Sequence, residues 1–146
     1  MDEVLSFFVA GTPAPGGSKK AFVRGGRAVV VDDAKNNASW RERVAAVASG
    51  HHRGPLLDAP LAVTFVFFTL RPRGHYGGGR NAARLKPSAP RYPTTKPDAL
   101  KLARSTEDAL SGVVWRDDST TVDLVVRKRY GDRPGCQVTI QLKGDA

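Results

Sequence analysis

Apolar residues recur along this chain in two rhythms, and the places where the rhythm changes mark out its elements. Val4 to Ala10 is rich in β-formers and reads as a first strand. Gly11 to Gly17 contains three Gly and two Pro, so a loop follows. Ala21 to Arg24 and Arg27 to Val31 flank Gly25-Gly26, the signature of a hairpin. Asp32 or Asp33 is placed to cap the next element. There Trp40, Val44 and Val47 are spaced four and three apart, as one buried helical face requires, and the helix should stop near Gly50.

Leu61 to Leu70 is an almost unbroken apolar run with the strength of a central strand. Arg71 to Thr95 has no period. It carries the three glycines Gly77 to Gly79 and four prolines, and so long a loop in a small domain is usually functional or flexible. The helical rhythm returns in Ala99, Leu102, Ala103, Thr106, Ala109 and Leu110, which form one core face of a helix opened by Lys96-Pro97-Asp98 and ended by Gly112. Val113-Val114-Trp115 is expected to be a short strand. Thr121 to Tyr130 alternates Val122, Leu124 and Val126 against polar residues and reads as a half-buried strand. Gly131 to Gly135 makes a turn, and Cys136, Val138, Ile140 and Leu142 alternate along a returning strand. The expectation is an α+β fold, a small mixed β-sheet packed with two main helices.

Composition narrows this. A length of 146 residues suits one domain spanning 1–146, and 40% hydrophobic with 25% charged residues is ordinary for a globular protein. The net charge of +9 favours a polyanionic partner, nucleic acid first among them. Segment 71–96 holds seven Lys or Arg and no acid, so the charge is concentrated in a basic flexible loop. The lone Cys136 can make neither an internal disulfide nor a zinc site and reads as a small buried residue. Met1-Asp2-Glu3 is acidic where a signal peptide is basic, and the apolar run Leu61 to Phe68 is too short to span a bilayer. A cytoplasmic setting is expected, with no membrane and no organic cofactor.

The candidate chemistry lies in acids that follow the basic loop. Asp98 stands at a helix start, and Asp117-Asp118 just past the next short element. Clustered acids commonly hold Mg²⁺ beside a phosphodiester, and a basic approach to such a site reads as a nuclease. Each residue also has a plainer reading. Asp98 can serve the helix macrodipole, Asp117-Asp118-Ser119 can be a turn, and Asp108 can pair with Lys101, Arg104 or Ser105 on the polar side of the helix. His51-His52 lacks a matching ligand set and reads as surface.

Lys96-Pro97-Asp98, then Asp108-Ala109-Leu110-Ser111-Gly112-Val113-Val114, then Asp117-Asp118-Ser119 resembles the signature of RusA-type Holliday junction resolvases. Val9-Ala10-Gly11 with its Pro-rich loop resembles the opening strand of that family, and Arg71-Pro72 with His75 its segment after the central strand. The resemblance covers most of the chain. It implies a Mg²⁺-dependent endodeoxyribonuclease, with Mn²⁺ as a substitute, of a kind common in bacteria, prophages and phages. It also implies a small mixed α/β homodimer with one acidic site per subunit, cutting two strands of a four-way DNA junction.

By family position, Asp98 and Asp118 are metal-holding and catalytic, with Asp117 beside them. The pattern's second helical Asp falls on Leu100 and its lysine on Arg104. Arg104 would then stabilise charge at the phosphate, with Lys101 in reserve. Glu107 lies on nearly the same helical face as Leu100, but about 10 Å further along the axis. Arg71, Arg73, Arg80, Arg84, Lys86 and Lys101 are expected to meet phosphates, with Lys19 and Lys20 adding to the DNA face. His75 and Tyr76 are candidates to stack on an unpaired base. Two rivals remain: a non-catalytic branched-DNA-binding relative, of which Leu100 is the sign, and a basic structural protein of an RNA or capsid assembly.

Overall fold

A computed structural model of the chain describes the backbone of residues 2–16, 19–24, 27–32 and 37–144, and the side chains of 5–16 and 38–144. The strands are β1 (Asp2–Ala10), β2 (Lys19–Arg24), β3 (Arg27–Asp32), β4 (Leu61–Thr69), β5 (Thr121–Tyr130) and β6 (Gly135–Leu142). The helices are α1 (Asn37–His51) and α2 (Ala99–Leu110). Strands β1, β6, β4 and β5 form, in that order, a four-stranded mixed sheet. Only the β4–β5 pair is parallel, and the crossover between its strands carries the basic loop and α2. Strands β2 and β3 make a separate two-stranded ribbon. This is the α+β architecture that the hydrophobic pattern predicts.

The sheet is covered on one face. Along β4, Leu61, Val63, Phe65 and Phe67 are buried, while Ala62, Thr64, Val66 and Phe68 are only half-buried. Val138 and Ile140 of β6 and Phe7 and Val9 of β1 join the same buried layer. Helix α1 lays Trp40, Val44 and Ala48 onto it at a spacing of four, with Val47 at the flank. Helix α2 adds Leu102, Ala103, Ala109 and Leu110. The two helices are also joined by a polar contact. Trp40 Nε1–H donates to Thr106 Oγ1 at 3.1 Å, and that hydroxyl donates to Leu102 O at 2.8 Å. Ser105 is equally buried and donates to Ala14 O, which ties the loop after β1 to α2. Cys136 is a buried free thiol, and its burial pushes the thiol pKa up.

Several local expectations need correction. Val113-Val114-Trp115 is no strand. Gly112 adopts φ +81°, and the chain folds into a turn in which Ser111 and Trp115 bridge. Gly112 does sit just past the helix end, as expected, where a left-handed residue stops the helix. Pro97 is not in the first helical turn; it precedes the N-cap Asp98. Val122 and Leu124 are not half-buried but 57% and 41% exposed, because β5 is an edge strand with a neighbour on one side only. The segment after β4 is built rather than featureless. It makes 3₁₀ turns at Arg73–His75 and Gly79–Asn81 and a bridge between Tyr76 and Leu85. Asp32 ends β3, so it does not cap α1. The Gly25-Gly26 turn, Gly17 and Asp33 lie outside the described residues. No described helix is long and apolar enough to cross a membrane.

Thr106→Val would leave the buried Trp40 indole N–H without a partner. The expected loss is roughly 1–3 kcal/mol in urea unfolding. The double variant Trp40→Phe, Thr106→Val should lose less than the two single variants summed, because neither orphaned group remains.

Candidate active site

Trp115 organises the acids at the end of α2. Its ring is fully buried, and its backbone is held by Gly112 N–H donating to Trp115 O at 2.8 Å. Arg116 N–H donates to Leu57 O at 2.9 Å, which fixes the following residues against the entrance to β4. A buried indole N–H needs an acceptor, and Asp118 Oδ1 provides it at 2.8 Å. Asp118 opens a 3₁₀ turn (Asp118–Thr120) that leads directly into β5. Asp117 has a different task. Its Oδ2 accepts from Ser119 Oγ at 3.0 Å and its carbonyl from Thr120 N–H at 3.1 Å. The turn reading therefore describes Asp117, whereas Asp118 is anchored to the core.

Glu107 comes into this site from the last turn of α2. It is half-buried, and its pKa is raised from 4.5 to about 7, first by desolvation, then by the charge of Asp118, then by Asp108. Asp118 is raised as well, first by desolvation; the Trp115 hydrogen bond opposes this, and Asp108 and Asp117 add to it. Raised pKa values of this kind mark carboxylates held close together in a partly dry place. Asp108 is exposed and has no ion pair among the described residues, so its neighbours here are acids rather than the expected Lys101, Arg104 or Ser105.

Asp98 stands apart from this group. It is the N-cap of α2, exposed, and makes no side-chain capping bond, so the carboxylate is not consumed by the helix. Nine residues of helical rise, about 13 Å, separate it from Glu107. The two ends of α2 thus carry different candidate acids. Among the described residues, no three His, Cys, Asp or Glu side chains stand close enough to hold a metal ion. Leu100 is 65% exposed on the first turn of α2, and Arg104 is exposed and free of ion pairs among the described residues. Lys101 is exposed too.

The basic segment lies at the opposite end of β5 from Asp118. Arg73, Arg80, Arg84 and Lys86 are exposed. Arg71 is half-buried, donates to Pro90 O at 2.7 Å and stacks over the Tyr130 ring at 4.3 Å. His75 meets the same ring edge-on at 5.4 Å, so it braces the loop and is not free for a base. Lys19 and Lys20 begin β2, and their side chains lie outside the described positions. His51 stacks on Phe7 and His52 Nε2 meets Pro55 O, so both histidines serve packing. The sequence reading did not nominate Trp115, Arg91, Tyr92, Arg129 or Tyr130. The last four form two Arg-Tyr dipeptides, Arg91-Tyr92 and Arg129-Tyr130, a repeat visible in the sequence.

The sequence model of the family described as Endodeoxyribonuclease RusA matches residues 11–141. A Bacillus subtilis (strain 168) protein named Uncharacterized protein YqaN is 29% identical over 139 residues, 95% of this chain and 96% of that protein.

The raised Glu107 carries a stability prediction. The unfolded chain releases this proton near 4.5 and the folded chain near 7, so the native state holds an extra proton between those values. Stability must therefore fall as pH rises across that window. Glu107→Gln removes the effect. In metal-free buffer the variant should melt higher than the native protein at about pH 8 and close to it at about pH 4. Equal melting temperatures at both pH values would mean that Glu107 is solvated and not pressed against Asp118.

Proposed function

We propose that this chain, which belongs to the RusA endodeoxyribonuclease family, is a divalent-metal-dependent nuclease that resolves four-way or otherwise branched DNA in the cytoplasm. The observation that carries the reading is the pairing of Asp118 and Glu107 on a chain of net charge +9. Two carboxylates that disfavour each other's charge are stabilised by a cation, and a basic surface supplies the DNA.

The donors fit Mg²⁺ by their chemistry. They are all carboxylate oxygens, and Mg²⁺ commonly takes one or two carboxylates with water and substrate phosphate completing the shell. Asp118 and Asp98 are the family-position ligands and Asp117 lies adjacent to Asp118. Asp98 is set off from Asp118 by the length of α2, and Glu107, which feels the charge of Asp118, is the candidate to join it at the ion. Bound Mg²⁺ supplies Lewis-acid polarisation of the phosphate and a more acidic water. Asp118 arrives pre-oriented, since the Trp115 indole holds one of its oxygens and leaves the other to a ligand. Glu107, raised to about 7 in the metal-free protein by desolvation and the charge of Asp118, would be held ionised by a cation bound there. Arg104, one turn before Glu107, brings an uncompensated positive charge to offset the charge developing on the phosphate. The exposed Arg73, Arg80, Arg84, Lys86 and Lys101 grip the backbone of the DNA arms. Junction preference then comes from shape and deformability rather than base contacts. A homodimer would present two such sites to opposed strands.

A second reading is favoured by one observation. Leu100 stands at the family's second Asp position, and among the described residues no three metal-ligating groups converge. A branched-DNA-binding relative without cleavage would look like this.

The deciding experiment incubates a labelled synthetic four-way junction with Mg²⁺ or Mn²⁺ and either the native protein or Asp118→Asn. Paired, symmetric nicks are expected from the native protein and at least a hundredfold fewer from the variant, about 3 kcal/mol of barrier. Mn²⁺ binding followed by electron paramagnetic resonance should weaken in both Asp118→Asn and Glu107→Gln. Tight junction binding with neither cutting nor Mn²⁺ uptake would establish the binding-only reading. In that case Leu100→Asp is expected to restore metal binding.

A further inference from the structure

The two Arg-Tyr dipeptides meet at the far end of β5 from Asp118. They line a hollow of about 360 Å³ together with Arg71, Tyr76, Leu85 and Asp132. Arg71 stacks over Tyr130 at 4.3 Å, and Arg129 and Arg91 both approach the Tyr92 ring, at 5.0 and 5.5 Å. Three guanidiniums thus converge on one opening, and none makes an ion pair among the described residues. Guanidiniums gathered in this way repel one another unless an anion sits between them. Stacking on tyrosine eases the repulsion. Arg71 Nη1–H donates to Pro90 O at 2.7 Å and Arg129 Nη1–H to Lys128 O at 2.9 Å, and Asp132 is the one carboxylate in the lining. The three guanidiniums carry further N–H groups that an anion can accept from.

The tyrosines are not equivalent. Tyr130 has Arg71 on its face and His75 at its edge, so it forms a wall. Tyr92 is 46% exposed and is approached by the exposed Arg91 and by Arg129, which is held by one hydrogen bond to Lys128 O. A ring that attracts two arginines also attracts a nucleobase. A base that displaces Arg91 or Arg129 from Tyr92 releases a guanidinium for the phosphate of the same nucleotide. Arg71 is tied to Pro90 O and serves as the fixed corner of the site.

We propose that this hollow captures one unstacked nucleotide of the bound DNA, its base on Tyr92 and its phosphate between Arg71, Arg91 and Arg129. The proposal rests on the nuclease reading and adds to it a specificity site outside the acidic centre. The hollow opens beside Arg129 to Asp132, nine strand residues beyond Thr121, where β5 begins after the Asp118 turn. At about 3.3 Å per residue the separation is about 30 Å, so the captured nucleotide is not the one that meets Asp118 and Glu107. That span matches roughly nine base pairs of B-form DNA at about 3.4 Å each. The hollow would select DNA that offers an unpaired nucleotide, as a branch point does, and set where along the arm the acids fall.

The test uses the full-length protein in EDTA, so that no DNA is cut. The probes are a duplex carrying one unpaired 2-aminopurine nucleotide and the same duplex fully paired. The native protein should bind the interrupted duplex more tightly and change the 2-aminopurine fluorescence. Tyr92→Ala should weaken that binding roughly 5- to 150-fold, the range that one base–aromatic stack is worth, and weaken paired-duplex binding far less. Tyr92→Phe should retain the preference, since the ring is kept. Arg91→Ala should lower affinity for both probes and reduce the slope of affinity against salt by about one. Equal affinity of the native protein for both probes, or equal losses on both in Tyr92→Ala, would overturn the nucleotide site and leave the nuclease reading standing. Failure of the native protein to bind paired, interrupted or four-way DNA would overturn both.

Discussion

The indole N–H of Trp115 must be hydrogen-bonded, and Asp118 is what bonds it. Much of the molecule's organisation meets at this contact. The Trp115 ring is part of the core beneath the sheet and helices, so its position is set by apolar packing. A polar group trapped in such packing costs more when unsatisfied than the bond itself contributes. The chain after Trp115 is therefore constrained to return a carboxylate to a fixed place. The same turn starts β5, and with it the parallel partner of β4. Fold and candidate chemistry are thus coupled through one donor.

Because helices cover only one face of the sheet, the remaining surfaces are open, and charge sorts to the ends of the strands. Where α2 ends and β5 begins, Glu107, Asp108, Asp117 and Asp118 gather. Where β4 and β5 end, Arg71, Arg91 and Arg129 gather around two tyrosine rings. An anionic polymer laid along β5 would meet attraction at one end and carboxylates at the other. On the proposed nuclease reading, a cation would remove the repulsion of phosphate by the acidic end, and metal and DNA would support each other's binding. This electrostatic arrangement is the one the proposed metal-dependent nuclease would use.

The crossover between β4 and β5 explains how so short a chain carries both ends. A parallel pair requires the chain to leave the sheet and return to the same end. Here the departing segment makes the basic loop, and α2 runs back along the buried face to deliver the acids. The Tyr76–Leu85 bridge and the stacking of Arg71 on Tyr130 hold the loop against the sheet end.

Sequence alone settled which segments are helix and which are strand wherever apolar spacing repeats. The α2 face of Leu102, Ala103, Thr106, Ala109 and Leu110 is buried as its period demands, and so is every second residue of β4. Local motifs likewise pointed to the family. Three things needed the tertiary structure. Val122 and Leu124 alternate like buried residues, yet they are exposed, because burial depends on where a strand falls in the sheet, and β5 lies at its edge. Asp98 and Asp118 belong to one signature in sequence, but they flank a helix whose length holds them apart, while Glu107 comes under Asp118's charge. The Arg-Tyr hollow joins residues some forty positions apart, a distance over which no periodicity carries. Spacing along a chain reports only the neighbours that one element creates. Sites made between elements appear when the core has packed and set their separations.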